Sequence, residues 1–314
     1  MIVVISIERD PSTNDVCDWI NHFGYDVFRI NHIQDICSFL SKNNIALGSN
    51  NILDDIVDSV WYRRRPSTIS NKDIFENTLT QTTVNEFYRS EQQAVFQAFC
   101  AILSKKRWLN NWNNSSPGKI EQLLIAFSIG LKIPSTTIIG NKTDLYHFLL
   151  SNGKIITKPI QDVRSVTVDD IQYSQYTTPI KKKDISAISY TFFPGLFQKN
   201  IKKNLEIRSF YLNGRMYSMA ICSSFDKQTK TDFRRYNDKH PNRRVPYQLP
   251  IAIEEKIHVF MNRMNLNCGS IDLILGSDGE YYFLEVNPVG QFGMVSYPCN
   301  YYLEREMANF LTDN

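Results

Sequence analysis

The chain has 314 residues, with 35 Lys and Arg against 32 Asp and Glu, so its formal net charge is +3 at pH 7. A charge this small argues against a general nucleic-acid or membrane-surface binder. The 13 Gly and 12 Pro exclude a collagen-like or low-complexity chain, and 42% hydrophobic residues are typical of a globular protein.

The first hundred residues have the pattern of a small parallel α/β domain. Residues 2–7 form a short β-branched run that predicts a buried strand, and residues 25–30 predict a second strand after an intervening helix. Residues 59–62 predict another strand, and residues 83–103 have helical spacing. Strand–helix–strand order is typical of a parallel sheet. The turn formers at 110–118 predict a boundary, so we expect a first domain at residues 1–113.

The remaining chain is divided into a central subdomain at 114–195 and a C-terminal subdomain at 196–314. Helices are predicted at 119–130, 144–150, 251–264 and 303–311. Strands are predicted at 155–159, 197–201, 207–212 and 216–222, with Asn213-Gly214 as the turn of a hairpin. Residues 226–246 are polar and basic with few apolar anchors, and they predict a long loop.

The most informative segment is a predicted hairpin of strands at 270–275 and 281–286. With Asp278-Gly279 as a two-residue loop, Asp272 lies directly opposite Glu285. Residues alternate faces along a strand, so Asn287 shares the face of Glu285. The opposite face would carry the apolar residues Ile271, Leu273, Leu275, Tyr282, Leu284 and Val286.

Two carboxylates directly opposite one another, ~5 Å apart at Cβ, repel and destabilise the strand pair. A shared divalent cation would remove the repulsion, and Mg²⁺ takes a few protein oxygens and completes its shell with water and phosphate. The alternative is an ordinary solvent-facing hairpin. The amide oxygen of Asn287 on the same face favours the metal site.

Four cationic residues could belong to a nucleotide site. Lys158 ends a buried strand, and Lys119 opens a helix whose free N–H groups favour anions. Arg208 lies inside an apolar strand and could grip a phosphate. Arg234 lies in the polar loop. Each of them, taken alone, is also explained by solvent exposure.

Several other classes of site are absent from the sequence. There is no Gly-x-x-x-x-Gly-Lys-Ser/Thr loop, no Gly-x-Gly-x-x-Gly after the first strand, no His-Glu-x-x-His pair and no Gly-x-Ser-x-Gly elbow. The six cysteines form no Cys-x-x-Cys pair, which is typical of buried thiols in a reducing compartment. No apolar run approaches the ~18 residues that span a bilayer. A cytoplasmic protein is therefore expected.

The chain resembles the ATP-grasp superfamily of carboxylate–amine ligases. The resemblance covers residues 119–300, through Lys119, Lys158-Pro159, Phe197-Gln198, residues 205–208 and 232–234, and the hairpin with Asp272, Glu285 and Asn287. Within the superfamily it is most similar to ATP-grasp peptide maturases of graspetide pathways (microviridin-type and grasp-with-spasm). The run from Phe283 to Gly293 and residues 297–300 look most like the grasp-with-spasm branch.

The resemblance implies an α/β (α+β) ATP-grasp fold behind an N-terminal parallel α/β domain. It also implies a role for each matching residue. Lys119 and Lys158 would hold the phosphates of ATP; Gln198, Lys199 and Asn200 would lie at the hinge beside adenine; Glu206 would take the ribose hydroxyls; Arg208 and Arg234 would stabilise the transferred phosphoryl group; and Asp272, Glu285 and Asn287 would bind Mg²⁺. The sequence departs from many relatives in having no glycine at 161–168 and in having Lys199 at an acidic hinge position.

The activity implied is phosphorylation of a carboxylate by ATP and attack on the acyl phosphate by a hydroxyl or amine. In graspetide enzymes both groups are side chains of one precursor peptide, with leader and core, which becomes a macrocycle. A homodimer is compatible with the resemblance. The alternatives are a ligase that adds a free amino acid to a protein or small acid, and a non-catalytic peptide-binding protein on the same scaffold.

Overall fold

The computed structural model describes residues 1–43, 56–68, 78–161, 165–169, 171–174, 177–222 and 242–313. The chain divides into two compact units. The first consists of Met1–Ser115, Gln291–Ser296 and Tyr302–Asn314, and the second of Ser116–Gly290 and Tyr297–Tyr301. The three-part division expected from the sequence stays a prediction.

The described elements before residue 160 are β1 (Ile2–Ile5), α1 (Pro11–His22), β2 (Val27–Ile30), α2 (Ile33–Lys42), β3 (Ser59–Tyr62), α3 (Thr78–Ile102), β4 (Arg107–Leu109), α4 (Lys119–Ser128), β5 (Thr136–Asn141), α5 (Lys142–Asn152) and β6 (Ile155–Lys158). Those that follow are β7 (Ser165–Val168), β8 (Ile171–Ser174), β9 (Thr178–Ile180), α6 (Lys182–Ala187), β10 (Thr191–Lys199), β11 (Lys203–Leu212), β12 (Arg215–Cys222), β13 (Arg243–Tyr247), α7 (Ile251–Arg263), β14 (Cys268–Gly276), β15 (Tyr281–Asn287), α8 (Gly293–Cys299) and α9 (Leu303–Thr312). Among these helices, none has the length and apolarity needed to cross a bilayer.

The first unit is built on a parallel four-stranded sheet in the order β2-β1-β3-β4. The predicted parallel α/β domain is therefore confirmed. The C-terminal helix α9 belongs to this unit, although the sequence assigned it to the C-terminal subdomain. Its Leu311 carbonyl accepts hydrogen bonds from Ser59 Oγ at 2.7 Å and Arg107 Nη2 at 2.8 Å. These donors satisfy a carbonyl that the end of a helix leaves without an intrahelical partner.

The second unit contains two larger antiparallel sheets and one isolated hairpin. The five-stranded sheet has the order β13-β12-β11-β14-β15, the four-stranded sheet has the order β5-β10-β6-β9, and β7 pairs with β8. Helices α4 and α7 cover one face of the five-stranded sheet, where Leu123, Phe260 and Phe283 belong to one buried apolar cluster. Arg208, Asp272 and Glu285 lie on its other face.

The β14–β15 hairpin differs from the predicted one in two compensating ways. Gly276 N donates to Glu280 O at 2.8 Å, so the loop has three residues, 277–279, instead of two. The pairing then shifts by one residue between Asp272 and Leu273, which marks a β-bulge at Leu284. Beyond the bulge Asp272 pairs with Glu285. The predicted loop was wrong, and the predicted facing of the two carboxylates is confirmed.

The bulge also changes which side chains enter the core. Phe283 pairs with Leu273 and is fully buried, at 4.7 Å between ring centroids from Phe260. Tyr282 and Leu284 are only half-buried, so their predicted place on the core face was wrong. The extra residue shifts the alternation of side chains by one position.

The predicted long loop at 226–246 is partly wrong as well. Residues 243–247 form β13, which pairs with β12 as an edge strand of the five-stranded sheet. Residues 223–241 lie outside the described part of the chain, and Arg234 is among them.

Candidate functional site

The site is organised around a row of charged residues that runs across three neighbouring strands. Arg208 on β11 pairs with Asp272 on β14, which pairs with Glu285 on β15. Arg208 Nη1 donates to both carboxylate oxygens of Asp272, at 3.0 and 3.2 Å. Residues directly opposite one another on neighbouring strands share a face, so the three side chains project together.

Helix α4 brings a second cation to the row. Lys119 is the first residue of this helix, and its Nζ lies 3.5 Å from Glu285 Oε2. The same Nζ donates to the backbone carbonyl of Gln161 at 3.0 Å. One turn along the helix, buried Gln122 accepts a hydrogen bond from Val286 N at 2.7 Å. Gln122 thereby fixes the first turn of α4 against β15, next to Glu285.

The two carboxylates are thus each matched with a cation. The side chains of Asp272 and Glu285 are 15% and 19% exposed, and those of Arg208 and Lys119 are 10% and 11% exposed. Removing such groups from water is costly unless opposite charges and hydrogen bonds compensate. Arg208 Nε is buried and has no hydrogen-bond partner among the described residues. This atom is a donor that an anion could use.

Asn287 lies two residues after Glu285, at the end of β15. It pairs with Ser270 and is exposed, and its Oδ1 accepts a hydrogen bond from Val289 N at 3.1 Å. The chain turns immediately afterwards, with Gly290 N donating to Asn287 O at 3.0 Å. A Cβ at Gly290 would lie only 2.7 Å from Ser270 Cβ. The turn therefore depends on a close approach that only glycine permits.

These oxygen donors suit a hard divalent cation better than a transition metal. No group of three or more His, Cys, Asp or Glu that could hold a metal occurs in the described ranges. Asp272, Glu285 and Asn287 offer two carboxylates and one amide, and Mg²⁺ characteristically takes few protein ligands and fills its shell with water and phosphate oxygens. The residues present therefore fit a magnesium ion that arrives with a phosphate ligand.

Lys158 and Gln198 lie in the four-stranded sheet and share one of its faces. Lys158 pairs with Leu196 and Gln198 pairs with Ile156, and both polar side chains are buried. Gln198 Nε2 donates to Thr136 Oγ1 at 2.8 Å, which fixes its amide. The opposite face carries apolar residues that pack with α5 and α6, including Ile155 and Phe197.

The predicted hinge follows at the end of β10. Lys199 N donates to Ser135 O and Asn200 N donates to Lys154 O, each at 2.8 Å. The Lys199 side chain is exposed. A base bound beside these two residues would therefore meet their carbonyls or side chains, since their N–H groups already have acceptors.

Two residues of the site face were missed by the sequence analysis. Lys203 contacts Glu206, and both side chains are at most 10% exposed. Arg244 on β13 pairs with Ile221, which pairs with Glu206. Burial lowers the pKa of the Arg244 guanidinium from its usual value. Arg244 was missed because the sequence analysis placed it in a polar loop. Lys203 was missed because it lies three residues from Glu206, and that spacing puts two side chains on opposite faces of a regular strand.

The hairpin end carries a separate polar contact. Tyr282 donates its hydroxyl to Asp278 Oδ2 at 2.7 Å, and this bond to a carboxylate, with burial, raises the pKa of Tyr282 to about 12. The same bond lowers the pKa of Asp278. Asp278 therefore stabilises the turn of the hairpin and does not belong to the charged row.

Comparison with known proteins identifies the fold. No protein-family description and no curated sequence matches the chain. The structure is similar over 99% of its length to a RiPP-associated ATP-grasp ligase of Chryseobacterium gregarium, solved with ADP and a leader and core peptide (TM-score 0.76, 22% identity, 96% of that chain). The fold of this protein is the ATP-grasp fold of ligases.

Two further solved structures are similar over the same 99% of the chain. One is the macrocyclase MdnC of Microcystis aeruginosa bound with the precursor peptide MdnA (TM-score 0.77, 23% identity, 99% of that chain). The other is the ATP-grasp ligase PsnB complexed with a minimal precursor, Mg and ADP (TM-score 0.74, 16% identity, 96% of that chain). The similarity extends over both units of this protein.

Proposed function

We propose that the protein is an ATP-dependent ligase that activates side-chain carboxylates of a ribosomal precursor peptide as acyl phosphates and joins them to hydroxyl or amine side chains. The products are ester or amide macrocycles, as in graspetide maturation. The observation that carries the proposal is the row Arg208–Asp272–Glu285, with Lys119 against its end, in a chain with the ATP-grasp fold. Three solved structures similar to it contain ADP, a precursor peptide or both.

The proposed substrates are ATP and the peptide, and each site residue has a part in holding them. Lys119 and Lys158 bind phosphates, Gln198 and the carbonyls of Lys199 and Asn200 lie beside adenine, and Glu206 accepts from the ribose hydroxyls. Asp272, Glu285 and Asn287 hold Mg²⁺, which neutralises phosphate charge and orients the phosphates when bound. Arg208, with its buried Nε, and Arg234 bind the phosphoryl group during transfer.

The chemistry requires positioning and charge stabilisation more than a protein nucleophile. A carboxylate oxygen of the peptide attacks the γ-phosphorus of ATP, and ADP leaves. A hydroxyl or amine then attacks the acyl carbon, loses its proton and expels phosphate. Arg208 and the lysines stabilise the charge that shifts between oxygens. Neighbouring groups already fix Arg208 and Lys119.

The proposed partner is a peptide with a leader and a core, and the proposed compartment is the cytoplasm. All six cysteines are free thiols, which is consistent with a reducing environment. The net charge of +3 gives no support for a nucleic-acid partner. Homodimerisation belongs to the same proposal and is measurable by light scattering.

The decisive experiment combines the purified protein, ATP, Mg²⁺ and the peptide encoded by the neighbouring open reading frame. A ligase of the proposed kind removes one water from the peptide for each cross-link, with one ADP released. A mass gain in an acceptor supplied with free amino acids would instead indicate the amino-acid ligase. Peptide binding without ADP release would indicate a non-catalytic binding protein, and an unchanged mass in a correctly paired precursor would refute the proposal.

A further inference from the structure

We propose that Lys203 positions the carboxylate of Glu206 for the nucleotide's ribose and so sets the preference of the enzyme for a ribonucleotide. This inference rests on the proposed function, in which Glu206 accepts from the ribose hydroxyls. Lys203 Nζ contacts Glu206 Oε1, and the side chains are 7% and 10% exposed. Lys203 is a positioning residue, because it acts through Glu206.

The contact depends on an irregularity of β11. Lys203 pairs with Gly276 and Leu205 pairs with Leu275, so one extra residue, Asn204, is inserted between them. In a regular strand, residues three apart point to opposite faces. The bulge returns Lys203 to the face of Glu206. The strand therefore contains a local feature that brings this lysine to this carboxylate.

Neighbouring backbone contacts fix the bulge in place. Ser277 N donates to Lys202 O at 2.7 Å, and Asn204 Nδ2 donates to Gly276 O at 3.4 Å. Both bonds join the start of β11 to the β14–β15 loop. The position of Lys203 is consequently set by the fold and is not a rotamer chosen at an open surface.

The chemistry of the pair explains what the lysine contributes. An ammonium has donors and no acceptor, so it binds a carboxylate in its ionised, acceptor-only form. Two neighbouring ribose hydroxyls are donors, and an ionised carboxylate of fixed orientation can accept from both. Without the lysine, this buried carboxylate would lose an opposite charge that helps to fix its orientation. Sugar recognition would then weaken while phosphate binding would not.

The test compares ATP, 2′-deoxyATP and inorganic tripolyphosphate by calorimetric titration. The wild-type protein is expected to bind ATP more tightly than 2′-deoxyATP. Lys203→Met should weaken ATP binding about tenfold, the scale of one hydrogen bond to a charged group. It should weaken 2′-deoxyATP binding less, because only the 3′-hydroxyl is present there, and leave tripolyphosphate binding nearly unchanged, so that the preference for ATP shrinks. Lys203→Arg should restore most of the preference.

The control is Lys202→Met, since Lys202 is the exposed neighbour; it should change none of the three affinities. In the background of Glu206→Gln, adding Lys203→Met should have no further effect on sugar preference. This double variant and Lys203→Arg keep the test valid if Lys203→Met alone folds poorly.

A Lys203 variant that binds tripolyphosphate normally and retains the wild-type preference for ATP overturns this inference and leaves the proposed function intact. A wild-type protein that binds ATP without sugar preference overturns it too, whereas failure to bind ATP at all overturns the proposed function.

Discussion

Asp272 faces Glu285 across β14 and β15 although the loop that joins these strands is one residue longer than the sequence predicts. The bulge at Leu284 compensates for the longer loop. The two like charges are tolerated because Arg208 binds Asp272 and Lys119 lies beside Glu285. Cationic side chains of the protein therefore hold the two carboxylates where a metal and phosphates are proposed to bind.

Removing either carboxylate should abolish ATP turnover. We expect Asp272→Asn and Glu285→Gln to lower the rate of ADP release by about 100-fold or more, a loss typical of removing one essential electrostatic group from an active site. Circular dichroism should show a retained fold. Glu280→Gln is the matched control, because Glu280 lies on the same hairpin and pairs with exposed Lys132 instead. Wild-type turnover in both site variants would remove the metal assignment.

Lys119 should compete with a metal ion for Glu285. In Lys119→Met, binding of Mn²⁺ without nucleotide should strengthen roughly fivefold, corresponding to about 1 kcal/mol of relieved competition. Binding of Mn²⁺ together with ATP should weaken, because the phosphates lose a cation. Electron paramagnetic resonance of free Mn²⁺ measures both. Lys256→Met is the control, since Lys256 donates to the carbonyl of Gly130 away from the row. Parallel changes in both titrations would contradict the competition.

Because of the bulge in β15, we expect truncation of two adjacent side chains to affect stability very differently. Phe283→Ala should lower the free energy of unfolding by about 3–5 kcal/mol, because it removes a fully buried ring that packs on Phe260. Leu284→Ala should cost only about 1 kcal/mol. Denaturant titrations of both variants measure the two free energies of unfolding. The regular register predicted from the sequence requires the reverse order.

The turn after Asn287 should not accept a side chain at Gly290. A Cβ there would lie 2.7 Å from Ser270 Cβ and 3.0 Å from Asn287 O. We expect Gly290→Ala to lower stability by about 1–3 kcal/mol through overpacking and to weaken Mn–ATP binding by moving Asn287. Adding Ser270→Gly should recover part of both losses, because it removes the atoms that clash. If Ser270→Gly gives no recovery, the close approach is not the cause.

Much of the architecture could be predicted because it follows from local patterns. The strand at 59–62 and the Asn213-Gly214 hairpin agree with the predictions, since apolar runs and turn residues act over a few positions. The edge strand β13 was missed because Arg243–Tyr247 alternates poorly and contains Pro246, so only its partner β12 defines it as a strand. The loop length at 277–279 was likewise set by the pairing of β14 with β15.

The sequence by itself determined which chemical groups are available for the proposed site. These are two carboxylates and an amide on one strand pair, with lysines and an arginine in the same region. Only the tertiary structure decided which cationic side chain contacts which carboxylate. Arg208 reaches Asp272, Lys119 reaches Glu285, and a bulge turns Lys203 toward Glu206. These contacts join residues from different strands and a helix, and their register is fixed by bulges and by side-chain packing that no local pattern encodes.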